Sequence, residues 1–158
     1  MSQPDRFSRP QMILHWVVAV LFLFNYFVSD GLGRAAGMYA RGEDYSQYFA
    51  AIVHPWVGVA LLAAVLARIV LRFTVGAPAE PEMPAWMSWA AKLTHGAIYA
   101  SLLVLCASGI ARWFFGVRDA GDVHEVMVNL TVTLIVVHIG AALYHQFILK
   151  DNLLARMR

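Results

Sequence analysis

The chain has 158 residues, 60% of them hydrophobic and 14% charged, with mean hydropathy +0.61 and a formal net charge of +2. So little charge cannot cover a water-soluble domain of this size, and a scattered +2 provides no basic surface for nucleic acid. The lone cysteine, Cys106, excludes an internal disulfide.

Four apolar stretches predict an all-α protein, a membrane-spanning four-helix bundle forming one domain over residues 1–158. The first, Met12–Val28, lies in a span expected at 10–29. It lacks a small-residue cleavage site and reads as a retained helix. Ser29-Asp30-Gly31 ends it, and a polar 19-residue connection, Asp30–Tyr48, follows. The second stretch, Ala50–Val70, predicts a span at 49–72, after which the Pro-rich segment Gly76–Pro84 cannot be helical throughout. The third, Trp86–Phe115 (span 86–113), is interrupted near its start by Lys92, which can snorkel to the headgroups. Gly116–Asp122 leads to the fourth, Val123–Leu149 (span 123–149). Each is long enough, or nearly so, to cross about 30 Å of hydrocarbon at a rise of about 1.5 Å per residue.

The cations set the orientation. Arg6, Arg9, Arg68, Arg72, Lys92, Lys150, Arg156 and Arg158 fall on one side, eight in all, against four on the other, Arg34, Arg41, Arg112 and Arg118. The positive-inside rule then places both termini of this multi-pass protein in the cytoplasm. Trp16, Trp56, Trp86, Trp89 and Trp113 sit near span ends, where interfacial anchors belong.

All six histidines, His15, His54, His95, His124, His138 and His145, lie in or at the ends of spans. An imidazole in hydrocarbon faces the bundle interior and needs a partner, and the spans hold almost no Asp or Glu. His124 and His138, fourteen residues apart, share one face of the fourth span and are separated by about 21 Å of rise. Measured from the periplasmic ends, His54 is level with His124 and His15 with His138. Two such pairs on different helices are what low-spin haem iron requires. With no C-x-x-C-H motif, the haems would be non-covalent. Small residues one turn beyond the ligands, Ala19, Gly58 and Ala142, suit a flat ring, although small residues also serve plain helix packing. Arg68 and Arg72 are candidates for haem propionates or are plain positive-inside charges. His145, seven residues past His138, and His95 are expected at or below the lower pair. Both could ligate; a quinone-headgroup or proton-transfer role is favoured. A haem-free histidine bundle moving metal or protons would call for more acidic or thiolate ligands in the spans.

Over essentially its whole length the sequence resembles the bacterial cytochrome b561 family. The residues that carry the resemblance are Arg9 with His15-Trp16, His54 with Gly58 and Arg68, His95 and Tyr99 followed by Gly109, and His124-Glu125 with His138 and His145. The most specific is the ending Lys150-Asp151-Asn152-Leu153-Leu154-Ala155-Arg156-Met157. The resemblance implies two haems b ligated from spans one, two and four, with none from span three. It also implies one of two activities. The first, favoured by the Lys-Asp-Asn ending, is superoxide:ubiquinone oxidoreduction, with electrons passing from periplasmic superoxide through both haems to ubiquinone. The second is a cytochrome b subunit linking the quinone pool to a periplasmic dehydrogenase- or hydrogenase-type partner, for which the 19-residue connection would be a docking surface. Membrane lipid, ubiquinone and a periplasmic donor are the partners expected.

Overall fold

A computed structural model describes residues 6–78 and 83–151. The ending beyond Asp151 and the centre of the Pro-rich turn, residues 79–82, lie outside the described residues. The described residues are helical without a strand: α1 (Arg9–Phe27), α2 (Leu32–Ala40), α3 (Phe49–Thr74), α4 (Ala85–Phe114) and α5 (Ala120–Tyr144), which continues into a π-turn (His145–Leu149). Four of these, α1, α3, α4 and α5 with its π-turn, are long and apolar enough to span a bilayer, and their bounds fall within three residues of the expected spans.

The 19-residue connection Asp30–Tyr48 contains a short helix, α2. Leu32-Gly33-Arg34-Ala35-Ala36-Gly37-Met38-Tyr39-Ala40 is too short to hold as a helix alone, and its two glycines weaken the local signal. Tertiary contact makes it stable: Ala35 is wholly buried, and Tyr39 stacks on Trp113 at 5.3 Å and 7° between planes. Tyr45 completes the cluster edge-on to Trp113 at 5.8 Å. Gly31 starts α2 at φ 74°, with the Tyr48 ring where a side chain would stand, so only glycine fits there.

Helices α1 and α3 pack together, α3 packs on α4, and α4 on α5. The core between them is Phe22, Leu61, Val65, Leu102, Leu105 and Cys106. Outward-facing apolar residues such as Phe27 (76% exposed) and Phe73 (84%) suit hydrocarbon, not water. Lipid tails are as apolar as these side chains, so cohesion rests on close packing and polar ties, each worth about 0.6 kcal/mol. Gln11, buried at the start of α1, is the most connected of those ties. Its Oε1 accepts from the Ser8 N–H (3.0 Å) and hydroxyl (3.1 Å), while its Nε2 donates to the Gly76 carbonyl (2.7 Å) just past α3. Arg68 of α3 donates back to the Gln11 carbonyl at 2.9 Å. At the other end Asn25 Nδ2 donates to the His54 carbonyl at 3.2 Å. Helices α1 and α3 are therefore clamped at both ends. Helix α5 meets α4 closely, but α1 and α3 far less closely.

Candidate functional site: two opposed histidine pairs

The site lies where α5 faces α1 and α3. His54 of α3 and His124 of α5 stand with ring centres 6.3 Å apart; His15 of α1 and His138 of α5 stand 6.4 Å apart. A metal–imidazole bond of about 2 Å puts the ring centre about 3.1 Å from the metal, so two rings on opposite sides of one iron lie roughly 6.2 Å apart. Both separations meet that dimension. They do so between helices that otherwise stay apart, so the rings do not meet merely because their backbones pack together.

The upper pair is oriented by backbone. His124 Nδ1 lies 2.9 Å from the Leu105 carbonyl of α4, with Ser108 Oγ at 3.5 Å, and His54 Nδ1 lies 3.2 Å from the Val28 carbonyl that ends α1. Each Nδ1–H therefore donates to a carbonyl, which fixes the tautomer with a bare Nε2 for the metal. Gly109 makes room for this: a Cβ there would sit 2.9 Å from His124 Cε1 and 3.0 Å from Nδ1. Helix α4 supplies no member of either pair and still decides where His124 points.

At the lower level three rings converge. His95 of α4 lies 5.1 Å from His138, centre to centre, with its Nδ1 2.7 Å from the Ala91 carbonyl of its own helix. His95 thus stands beside the lower pair, whereas the sequence left it at or below that level. Arg68 of α3 reaches this end of α1, where it donates to the Gln11 carbonyl four residues before His15. Between the levels, Phe22, Leu61 and Thr131 lie seven residues inward of His15, His54 and His124 and form a buried layer about 10 Å from each by helix rise.

His145 stands at the junction of α5 and the π-turn, with its Nδ1 2.5 Å from Asp151 Oδ2. Gly58 proves to have a neighbour other than a ring, since a Cβ there would meet Asn25 Nδ2 at 3.7 Å. Gln11, Asn25, Leu105 and Gly109 were not found as positioning residues from sequence. Gln11 and Asn25 are polar residues inside an apolar span, the same signal that drew attention to the histidines. Gly109 carried no such mark, because its role depends on how α4 and α5 pair.

Among the described residues no three His, Cys, Asp or Glu side chains converge on a metal site of their own. Two opposed imidazoles with fixed tautomers suit a metal whose remaining ligands come with a macrocycle, so the donor set and the Gly109 clearance fit haem. A substitution at Gly109 tests the fit. Gly109→Ala must push the His124 ring aside by a few tenths of an ångström, and, if the upper pair holds a haem, affinity at that level is expected to fall about 10-fold, the usual cost of disturbing a ligand's support. Gly109→Leu should empty that level. Haemochrome assays of haem per protein report both, and full occupancy in Gly109→Leu would show that His124 does not depend on this clearance.

Comparison with known proteins agrees with the geometry. The sequence model described as prokaryotic cytochrome b561 matches residues 6–158. A protein named cytochrome b562 from Cereibacter sphaeroides is 34% identical over 157 residues, covering 99% of this chain and 98% of that protein. Cytochrome b561 homolog 1 of Escherichia coli strain K12 is 28% identical, covering 97% of each chain. A protein of Yersinia pestis named probable superoxide oxidase CybB is 27% identical, covering 96% of this chain and 95% of its own length.

Proposed function

The chain belongs to the prokaryotic cytochrome b561 family, and from that membership and the opposed histidine pairs we propose that it is a di-haem superoxide:ubiquinone oxidoreductase of the bacterial inner membrane. As a family member it is a multi-pass electron-transfer protein that binds haem b. The observation that carries the finer reading is the pair of ring separations, 6.3 and 6.4 Å, each spanning the gap between α5 and the α1–α3 pair.

His54 and His124 hold the periplasmic haem, and His15 and His138 the cytoplasmic one. Each haem, when bound, supplies a one-electron Fe(III)/Fe(II) couple. The residues supply the rest. Val28 and Leu105 orient the upper imidazoles through their carbonyls, and the Phe22–Leu61–Thr131 layer keeps the two levels apart and dry. Arg68 has spent one N–H on Gln11 and retains others for a propionate, with Arg72 one turn further along. His145 receives the ubiquinone headgroup at the cytoplasmic end, and His95 flanks the lower haem.

Superoxide as donor rests on the name of one relative and on the single-chain organisation of the site. Broad attraction of an anion is not part of the reading, because Arg41, one of four periplasmic arginines, is held by Glu43 at 2.6 Å. The test uses haem-loaded protein in right-side-out vesicles containing ubiquinone. Superoxide generated outside should reduce the haems and then the quinone, and superoxide dismutase should abolish both. Haems that ignore superoxide but are reduced once a periplasmic dehydrogenase- or hydrogenase-type partner is added would establish the subunit reading instead. Reduction only when superoxide is generated inside would reverse the orientation derived from the cations.

A further inference from the structure

The Lys150-Asp151 step takes no part in the two opposed histidine pairs. It follows a change of helix type. α5 winds as an α-helix to Tyr144, His145–Leu149 forms the π-turn, and Lys150 stops it in the left-handed region at φ 56°. Residues six apart on a continuous α-helix lie about 120° from sharing a face. Here the wider turn and the left-handed stop bring Asp151 back under His145. The Asp151 N–H approaches the His145 carbonyl at 3.4 Å, and the Asp151 carboxylate meets the ring at 2.5 Å. The two side chains are only 13% and 25% exposed, so the contact is largely shielded from competing water. π-turns are rare and are frequently found at functional sites.

We propose that Asp151 is a positioning residue of the quinone site: its carboxylate accepts the Nδ1–H of His145 and reserves Nε2 for a quinone carbonyl. The proposal rests on the reading of His145 as the quinone-facing histidine. Reducing a quinone to the quinol takes two electrons, delivered through the haems one at a time, and two protons. One proton passes from His145 Nε2 to the nearer quinone oxygen and the other comes from water, which afterwards returns a proton to Nε2. Through this cycle the ring alternates between imidazolium and the neutral Nδ1–H tautomer. The same hydrogen bond to Asp151 holds both forms, so the donor nitrogen stays in place while its proton comes and goes. Without the carboxylate, the neutral ring is free to take the Nε2–H tautomer and to turn.

The test compares wild type, Asp151→Ala, Asp151→Glu and His145→Ala as haem-loaded protein. Ring ¹⁵N spectra of the dithionite-reduced protein report the tautomer of His145, and reoxidation of the reduced haems by ubiquinone-1 reports delivery to quinone. In Asp151→Ala the neutral ring should move to the Nε2–H tautomer and reoxidation should slow about 10-fold, with haem content and optical spectrum unchanged. Asp151→Glu should restore much of both. A His145 ring that keeps its Nδ1–H tautomer in Asp151→Ala overturns the positioning role. Reoxidation of His145→Ala at the wild-type rate overturns the quinone site itself, whatever the tautomer does.

Discussion

Replacing His54 or His124 with alanine is expected to take haem content from two per chain to one, with the surviving haem keeping its bis-histidine spectrum. On the proposed reading, each upper ring would be one of only two protein donors to its iron. The alanine variant leaves the partner imidazole alone, still held by its carbonyl, at 3.2 Å in His54 or 2.9 Å in His124. The lower pair should not notice. His124 and His138 are about 21 Å apart along α5, with the Phe22–Leu61–Thr131 layer between them. The Gln11–Gly76 and Arg68–Gln11 ties that hold α1 to α3 lie at the opposite end from His54. Haemochrome assay gives the stoichiometry, and the ferric low-spin signals give the identity of what remains. Loss of both haems from a protein with unchanged helical circular dichroism would mean that the levels are not independent.

The lower level should divide its three histidines. On the proposed reading, His15→Ala and His138→Ala are expected to lose the haem of the lower level, while His95→Ala should keep both. Distance separates them. The His15–His138 separation of 6.4 Å accepts an iron between the rings, whereas the His95–His138 separation of 5.1 Å falls about 1 Å short of what two metal–imidazole bonds require. Retention of the lower haem by His15→Ala, together with its loss from His95→Ala, would move the ligand from α1 to α4.

The order of these sites along the membrane can be read without coordinates because a helix is a ruler. A fixed rise per residue converts the fourteen-residue interval between His124 and His138 into two depths on one face. The polar breaks beside the apolar runs set the other two histidines to the same depths. Hydropathy alone, over four runs, determined the number of spans within a few residues. The direction of a side chain about its own helix, and the neighbour it finds there, is a different kind of quantity. It depends on how adjacent helices rotate against each other, and that is decided by packing.

That difference accounts for what each source determined. By itself the sequence determined an all-helical membrane protein, four spans and two depth-matched histidine pairs, because these follow from local hydropathy and from intervals within one helix. Only the tertiary structure decided that α2 is a helix, since its stability comes from Ala35 burying and Tyr39 stacking on Trp113. Likewise it decided that His95 joins the lower pair at 5.1 Å from His138 and that Gly109 yields its space to the His124 ring. The bond from Asp151 to His145 needed a π-turn that no apolar pattern announces. Each of these is a contact between residues on different helices or across a break in helical winding, where the regular repeat that makes sequence legible no longer applies.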